Sequence, residues 1–195
     1  MKPAQDYKLI LWDFDGVLMD SNSVRDAGFI EVLKSFPAEE VEQLLAYHRK
    51  NGGLSRYVKF RYFYEVIRKE AVTEEQILAL ASSFSIIMKH LLVNPDLLIK
   101  NSLDFVKKYH TQIPMHIVSG SDSKELNFLC ESLHINNYFV SINGSPTHKN
   151  DLVKAILPKY NFPLNEVVLI GDSVNDLEAA KANGIEYIDY NTRKF

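Results

Sequence analysis

The stretch Leu9-Ile10-Leu11-Trp12-Asp13-Phe14-Asp15-Gly16 decides the interpretation of this sequence, because four apolar residues run directly into an acidic pair. A short apolar run that ends at polar residues is typical of a buried strand. Asp13 and Asp15 are one residue apart, so in a continuing strand their side chains would point the same way. Gly16 lets the backbone turn and approach a ligand closely. Taken alone, the stretch fits an ordinary acidic turn at a strand end equally well.

Further apolar runs with strand character lie downstream, and most of them stop at polar residues. They are Met115 to Val118, Tyr138 to Val140 before an Asn143-Gly144 turn, Val167 to Ile170, and Ile185 to Ile188. Helical patterns separate them, at about Asn101 to Tyr109, Ser123 to Leu133, Lys149 to Tyr160 and Asn175 to Ala182, with Gly184 as a helix stop. Alternating strands and helices predict an α/β fold with a parallel sheet covered on both faces.

The segment from about Val24 to Leu92 breaks this alternation. Its apolar residues follow helical spacing, which predicts a helical insertion after the first strand. Gly52 and Gly53 indicate a loop between two of its helices, with Ser55 as a helix cap.

A second acidic cluster, Gly171-Asp172-Ser173-Val174-Asn175-Asp176, follows the Val167 to Ile170 run. In parallel sheets the ends of neighbouring strands converge on one crevice, so this cluster and the first one are expected to meet. Carboxylates brought together repel each other unless a cation or protons lie between them, and hard oxygen ligands suit Mg²⁺. The alternative, which is compatible with a metal, is that Ser173 or Asn175 caps a helix and the aspartates lie at its N-terminus.

Two other features point to a bound anion. Ser119-Gly120-Ser121 follows a strand and precedes a helix, where hydroxyl and N–H groups are available. Lys149, at the start of a predicted helix, brings a point charge to the same edge. Singly, the first is more often a simple turn and the second a solvated lysine, but their order along the chain with the two acidic clusters is hard to obtain by chance.

Composition limits the classes of partner and compartment. The formal net charge of -3 in 195 residues offers no basic field, so no nucleic-acid partner is expected. The lone Cys130 lies in an amphipathic stretch and is interpreted as a buried apolar residue in a reducing compartment. The apolar run before Asp13 is too short for a membrane segment or a signal peptide, so a cytoplasmic protein without a membrane partner is expected.

In combination, the motifs Asp13-x-Asp15-Gly16, Ser119, Lys149 and Gly171-Asp172-x-x-x-Asp176 resemble those of the haloacid-dehalogenase-like hydrolases. The resemblance implies a Rossmann-like core, formed by residues 1–22 and 93–195, and a helical cap formed by residues 23–92. Within the family, the chain resembles members similar to phosphoglycolate phosphatase and β-phosphoglucomutase.

The resemblance also implies a role for each matching residue. Asp13 would be the nucleophile and Asp15 the general acid and base, while Ser119, Gly120 and Lys149 would bind the phosphoryl group. Mg²⁺ would be held by Asp13, the backbone carbonyl of Asp15 and Asp172, with Asp176 as a direct or indirect support. These roles predict hydrolysis of a small phosphorylated metabolite through an aspartyl-phosphate.

Asp15 disfavours dehalogenation, which needs no proton donor at this position, and the ATPase branch of the family places Thr there. A phosphosugar mutase and a non-catalytic regulatory protein remain as alternatives, and the oligomeric state stays open. The basic and aromatic segment from His48 to Tyr64 is expected to be a helix with a solvated basic face. Gly53-Leu54-Ser55-Arg56 is the exception, because it resembles the cap specificity loop of the mutase-like members; Arg56 is therefore predicted to bind substrate.

Overall fold

The computed structural model describes residues 2–192, which form a five-stranded parallel sheet with helices around it. The strand order is β3-β2-β1-β4-β5. The strands are β1 (Leu9–Trp12), β2 (Met115–Asp122), β3 (Ser141–Ser145), β4 (Val167–Gly171) and β5 (Glu186–Asp189). The predicted α/β class with a parallel sheet is therefore confirmed.

Strand β1 occupies the centre of the sheet, between β2 and β4. All residues of β1 and of β4 are buried, as a strand covered on both faces requires. Trp12 pairs with Ile117 on one side and with Ile170 on the other. This register places the polar residues that follow β1, β2 and β4 next to one another.

Four helices and one π-helical turn form an insertion that follows β1. They are α1 (Asn22–Val32), α2 (Ala38–Lys50), α3 (Arg56–Tyr62), the π-helical turn Phe63–Arg68, and α4 (Glu74–Leu92). Four further helices accompany the sheet: α5 (Lys100–Tyr109), α6 (Ser123–Ser132), α7 (Lys149–Ile156) and α8 (Val174–Ala182). The predicted helical insertion after the first strand is confirmed.

The insertion has its own aromatic centre. Phe29 of α1 lies 5.4 Å from Phe60 of α3 and 4.5 Å from Phe84 of α4, measured between ring centroids, and all three are buried. Such ring pairs stabilise by more than their buried area alone. Ser55 caps α3 as predicted, since its hydroxyl accepts from the N–H of Val58.

Two strand predictions need correction. The third strand is Ser141–Ser145 and not Tyr138 to Val140, because the parallel register with β2 starts at Ser141, opposite His116. Asn143 and Gly144, predicted as a turn, lie within this strand, and the Asn143 side chain donates to the carbonyl of Ile117 at 3.0 Å.

Strand β2 is longer than its apolar run, since it continues to Asp122 with an irregularity after Val118. Ser119, Gly120 and Ser121 are therefore strand residues and not a loop. Cys130 is buried, as predicted, and burial raises the pKa of its thiol to about 12. Within residues 2–192, no helix is both long and apolar enough to cross a membrane.

Candidate active site

A cavity of about 470 Å³ lies at the carboxyl ends of β1, β2 and β4, between the sheet and the helical insertion. Ligands bind at this edge in open parallel sheets. Six of the residues singled out in the sequence line it: Asp13, Asp15, Arg56, Ser119, Gly120 and Asp172. The remaining two, Lys149 and Asp176, lie directly behind Asp13.

Asp13 is fixed by the end of the central strand. Its N–H donates to the carbonyl of Ile170 at 2.9 Å, so its backbone is still part of the sheet. The carboxylate is buried and lies 2.8 Å from the Lys149 ammonium. Burial and the neighbouring Asp176 raise the pKa of Asp13, while Lys149 opposes that rise.

Lys149 begins helix α7, as predicted, and its buried ammonium bridges Asp13 and Asp176. Although burial disfavours its charge, the two carboxylates raise the pKa of Lys149 above its ordinary value. Lys149 is therefore a fixed positive charge next to Asp13.

Asp176 is fully buried and every contact of its carboxylate is internal. One oxygen accepts from Lys149, and the other accepts from the Ser173 N–H at 3.0 Å and from the Ser173 hydroxyl at 2.6 Å. Ser173 is the N-cap of α8 and Asp176 is its partner in the capping box. The predicted helix cap is therefore part of the predicted acidic cluster. These contacts favour Asp176 as a support for its neighbours.

Asp13, Asp172 and Asp176 each place a carboxylate oxygen within 4.8 Å of the others. Burial, together with repulsion from Asp176, raises the pKa of Asp172 to about 6. A cluster of oxygen ligands whose charges oppose one another suits a hard divalent cation. Gly16, at φ +76°, lets the Asp172 carboxylate lie against the backbone, because a Cβ there would lie 2.0 Å from an Asp172 oxygen.

Asp15 has quite different surroundings from Asp13. Its carboxylate accepts from the Ser121 hydroxyl at 2.5 Å and from Arg25 Nε at 3.0 Å, and also from the Ser21 hydroxyl. Burial alone would raise the pKa of this carboxyl, but Arg25 and the two hydroxyls outweigh it and lower the pKa to about 2. Asp15 is therefore a carboxylate in this arrangement.

Arg25 belongs to a buried ion network that joins the insertion to the core. Its guanidinium donates to Glu125 of α6 at 2.5 Å and to Ser121 at 2.9 Å. The other oxygen of Glu125 accepts from Arg56 of α3 at 2.6 Å, and Arg56 also donates to the Ser85 hydroxyl at 2.7 Å. A single carboxylate with no exposed surface thus holds two arginines from the insertion.

The loop before α3 closes directly over the core. A Cβ on Gly120 would lie 2.3 Å from the carbonyl oxygen of Gly53, and a Cβ on Gly53 would lie 2.8 Å from the Ser173 hydroxyl oxygen. Only glycine fits such a close approach of backbones. The insertion therefore covers the cavity as a cap.

The family model described as haloacid dehalogenase-like hydrolase matches residues 10–189. The chain belongs to this family. The family resemblance found in the motifs and the prediction of a hydrolase are both confirmed.

Known proteins similar to this haloacid-dehalogenase-like hydrolase agree with that assignment. A protein named phosphorylated carbohydrates phosphatase from Thermotoga maritima is 26% identical over 194 residues, covering 92% of this chain and 82% of the relative. The structure of CbbY from Rhodobacter sphaeroides in complex with xylulose-(1,5)bisphosphate is 18% identical, with a TM-score of 0.75 and coverage of 94% of this chain and 85% of CbbY. A predicted phosphoglycolate phosphatase from Haemophilus somnus 129pt is 17% identical, with a TM-score of 0.70 and coverage of 96% and 86%.

The sequence patterns missed three buried charged residues at the cavity, namely Arg25 and Lys59, which line it, and Glu125, which accepts from Arg25. Arg25 and Lys59 were not singled out because a basic residue in an amphipathic helix is usually solvated. Glu125 was missed for the same reason, since an acidic residue in the first turn of a helix needs no buried partner. The short spacing between Asp15 and Ser21 was the one local signal that was available.

Proposed function

We propose that this haloacid-dehalogenase-like hydrolase is a Mg²⁺-dependent phosphohydrolase that acts on a small phosphorylated metabolite, such as a sugar phosphate, through an aspartyl-phosphate. The observation that carries the proposal is the pairing of a buried carboxylate, Asp13, with the Lys149 ammonium at 2.8 Å, beside two further aspartates. A carboxylate nucleophile has to approach an anionic phosphoryl group, and a fixed cation next to it reduces the repulsion.

In the first step, an Asp13 oxygen attacks phosphorus and the bond from phosphorus to the leaving-group oxygen breaks. The leaving oxygen takes a proton from Asp15, which becomes a carboxylate. In the second step, Asp15 takes a proton from a water molecule as that water attacks phosphorus, and the bond between Asp13 and phosphorus breaks. Inorganic phosphate is released and Asp15 is protonated again.

The surroundings of Asp15 suit the second step directly. With Arg25 at 3.0 Å, Asp15 is a carboxylate and is ready to accept a proton. The first step needs the protonated form, so the contact between Arg25 and Asp15 must loosen when substrate binds. Because Arg25 lies on a cap helix, movement of the cap would change that contact.

Ser119 and Gly120 line the cavity beside Asp13 and would bind phosphoryl oxygens together with Lys149. Arg56 remains a candidate for substrate binding from the cap side. We propose residues 1–22 and 93–195 as the core and residues 23–92 as the cap, consistent with α1 starting at Asn22 and α4 ending at Leu92. Residue 1 and residues 193–195 lie outside the described part of the chain.

The donor set fits Mg²⁺, which would be held by Asp13, Asp172 and the backbone carbonyl of Asp15, with Asp176 as the support. When bound, the cation neutralises charge on the phosphoryl oxygens. Burial and then repulsion from Asp176 raise the pKa of Asp172, and the cation would relieve the repulsion.

The substrate class rests on cavity size and on one named relative. A cavity of about 470 Å³ accommodates a small phosphorylated sugar or acid. The relative from Thermotoga maritima is named for phosphorylated carbohydrates, which supports the same class here.

The proposal is tested by measuring phosphate release from a panel of phosphorylated metabolites and from p-nitrophenyl phosphate. We expect turnover in Mg²⁺ and its loss after EDTA, with recovery when excess Mg²⁺ is added back. Undiminished turnover in a thoroughly demetallated sample would contradict the metal role, and no phosphate release from any compound would contradict the function.

A phosphosugar mutase would use the same residues and differs only in returning the phosphoryl group to a bound intermediate. It is separated by product analysis with a sugar monophosphate and a catalytic amount of its bisphosphate. An isomeric sugar phosphate without phosphate release would identify the mutase. A non-catalytic regulatory protein is disfavoured, because every position that the chemistry needs is occupied.

A further inference from the structure

We propose that Lys59 is the specificity-determining cation of the cap and that it binds a second anionic group, a carboxylate or a phosphate, on the leaving-group side of the substrate. This inference deepens the proposed phosphohydrolase function and rests on it. Arg56 of the same helix remains a candidate for contact with substrate, but its guanidinium is already paired with Glu125.

Lys59 contradicts the expected solvated basic face. Its side chain lines the cavity, yet the residue is only 3% exposed. The ammonium donates to the carbonyl of Gly52 at 3.0 Å. Among residues 2–192, no carboxylate oxygen lies within 4.0 Å of it, so a charged group with three donors is buried against one neutral acceptor.

The two cap arginines beside it are already paired. Both Arg25 and Arg56 donate to Glu125, and the Arg56 guanidinium also lies over the Phe84 ring, 4.6 Å from its centroid. Arg25 also donates to Asp15, so the two guanidinium charges face two carboxylates. Lys59 is therefore the buried cation at the cavity whose charge is left for a ligand.

The state of the ammonium agrees with this assignment. Burial, with smaller contributions from Arg25 and Arg56, lowers the pKa of Lys59 to about 7, although Asp15 and Asp13 act in the opposite direction. An anionic group placed against the ammonium would restore its charge. A neutral hydroxyl would do so much less effectively.

The position of Lys59 decides which part of the substrate it contacts. The phosphoryl group must lie at Asp13 and Lys149 on the core side, whereas Lys59 projects from α3 of the cap. A group bound by Lys59 therefore belongs to the leaving group. The preferred substrates are phosphomonoesters with a second negative charge a short distance from the ester oxygen.

The test compares two matched pairs of compounds in Lys59→Met and in the wild type. One pair is 2-phosphoglycolate and 2-hydroxyethyl phosphate, and the other is fructose 1,6-bisphosphate and fructose 6-phosphate; p-nitrophenyl phosphate reports the basal chemistry. A selective loss of kcat/KM in the first pair would identify the second anionic group as a carboxylate, and a selective loss in the second pair would identify it as a phosphate. Lys34→Met is the control, because Lys34 is an exposed cap lysine paired with Glu31.

In the wild type we expect higher kcat/KM for the member with the extra charge in at least one pair. Lys59→Met should lower that value by about tenfold or more, through KM as well as kcat, with less than about twofold change for the neutral member and for p-nitrophenyl phosphate. Lys34→Met should leave all values unchanged. Thermal unfolding of both variants checks that the fold is retained.

Equal losses for charged and neutral members in a folded Lys59→Met protein would overturn the proposal, as would a wild type without preference for the charged member in either pair. Both results leave the phosphatase function intact, since p-nitrophenyl phosphate is still hydrolysed. Absence of turnover of every compound by the wild type would instead contradict the proposed function itself.

Discussion

The two halves of the active site are built in different ways. In the core half, Asp13, Ser119 and Asp172 lie within or directly after buried strands, and their positions follow from the order of the strands. In the cap half, Arg25 and Arg56 reach the site through Glu125, which is 100 and 69 residues away along the chain. The core half is therefore determined by local sequence and the cap half by tertiary contacts.

The two halves of the active site also differ in charge. The core half gathers three aspartates around one lysine, so negative charge is in excess there. A bound cation would offset this excess. The cap half gathers basic groups around Glu125 and leaves Lys59 without a carboxylate partner among residues 2–192. A ligand that bridges the halves should accordingly carry negative charge at both ends.

The largest effect is expected within the core half, from Asp172→Ala compared with Asp176→Asn. Asp172→Ala removes a proposed metal ligand, so turnover at a fixed Mg²⁺ concentration should be lost. Asp176→Asn keeps the shape of the group that supports Lys149 and Ser173, so the apparent Mg²⁺ affinity should fall by about 10- to 100-fold. The measurement is a Mg²⁺ titration of phosphate release, and a wild-type titration curve for Asp172→Ala would show that the cluster does not hold the metal.

In the cap half, the largest loss of stability is expected from Glu125→Ala. The substitution leaves Arg25 and Arg56 buried without their shared counter-charge, and removing one partner of a buried ion pair typically costs about 3 to 5 kcal/mol. We expect the free energy of unfolding, measured by urea denaturation, to fall by about this amount.

The matched control is Glu131→Ala, on the exposed side of the same helix, which should change the free energy of unfolding by less than about 0.5 kcal/mol. Equal stability of Glu125→Ala and Glu131→Ala would mean that the network does not tie the cap to the core. The comparison of the two halves would then fail on its cap side.

The sequence predicted the core half well because strand ends and helix starts are signalled by neighbouring residues. The four-residue run before Asp13 and the N-cap at Ser173 are such signals. The sequence placed strand β3 too early. The apolar side chains of Tyr138 to Val140 indicated a strand there, but pairing with β2 starts only at Ser141.

The resemblance placed Arg56 at the cavity, but the rest of the cap half could not be predicted, because helical periodicity does not tell which polar residues become buried against another part of the chain. Lys59 was expected in solvent, as is usual for a lysine in an amphipathic helix. Its burial depends on the Gly52-Gly53 loop folding back over the core, a contact that no local pattern encodes.

The smallest effect is expected at His116, which lies outside both halves of the active site. Its replacement tests the pH dependence of stability without altering a residue of the proposed chemistry. His116 is buried in β2, with ring nitrogens 2.7 Å from the Ser141 hydroxyl oxygen and 2.7 Å from the Tyr160 hydroxyl oxygen. Burial, with a smaller contribution from Lys159, lowers the pKa of His116 to about 4. The pKa of His116 in the folded protein lies below the unfolded value of about 6.5. The stability that comes from the neutral ring is therefore complete above about pH 6.5 and declines as the pH falls toward 4.

Replacing this ring removes its titration. In His116→Gln, the loss of unfolding free energy between pH 7 and pH 5 should be smaller than in the wild type by about 1 kcal/mol, after allowance for solvent screening. An unchanged pH dependence in His116→Gln would mean that the pKa of the ring is the same in the folded and the unfolded protein.

The central claim, that Asp13 is the nucleophile of a phosphohydrolase, is tested most directly by Asp13→Asn. An amide is nearly isosteric with the carboxylate but is not nucleophilic, so kcat for p-nitrophenyl phosphate in saturating Mg²⁺ should fall by about 1000-fold or more. The thermal unfolding midpoint, measured on the same preparation, should show that the protein remains folded. Phosphate release at the wild-type rate by folded Asp13→Asn would contradict the assignment.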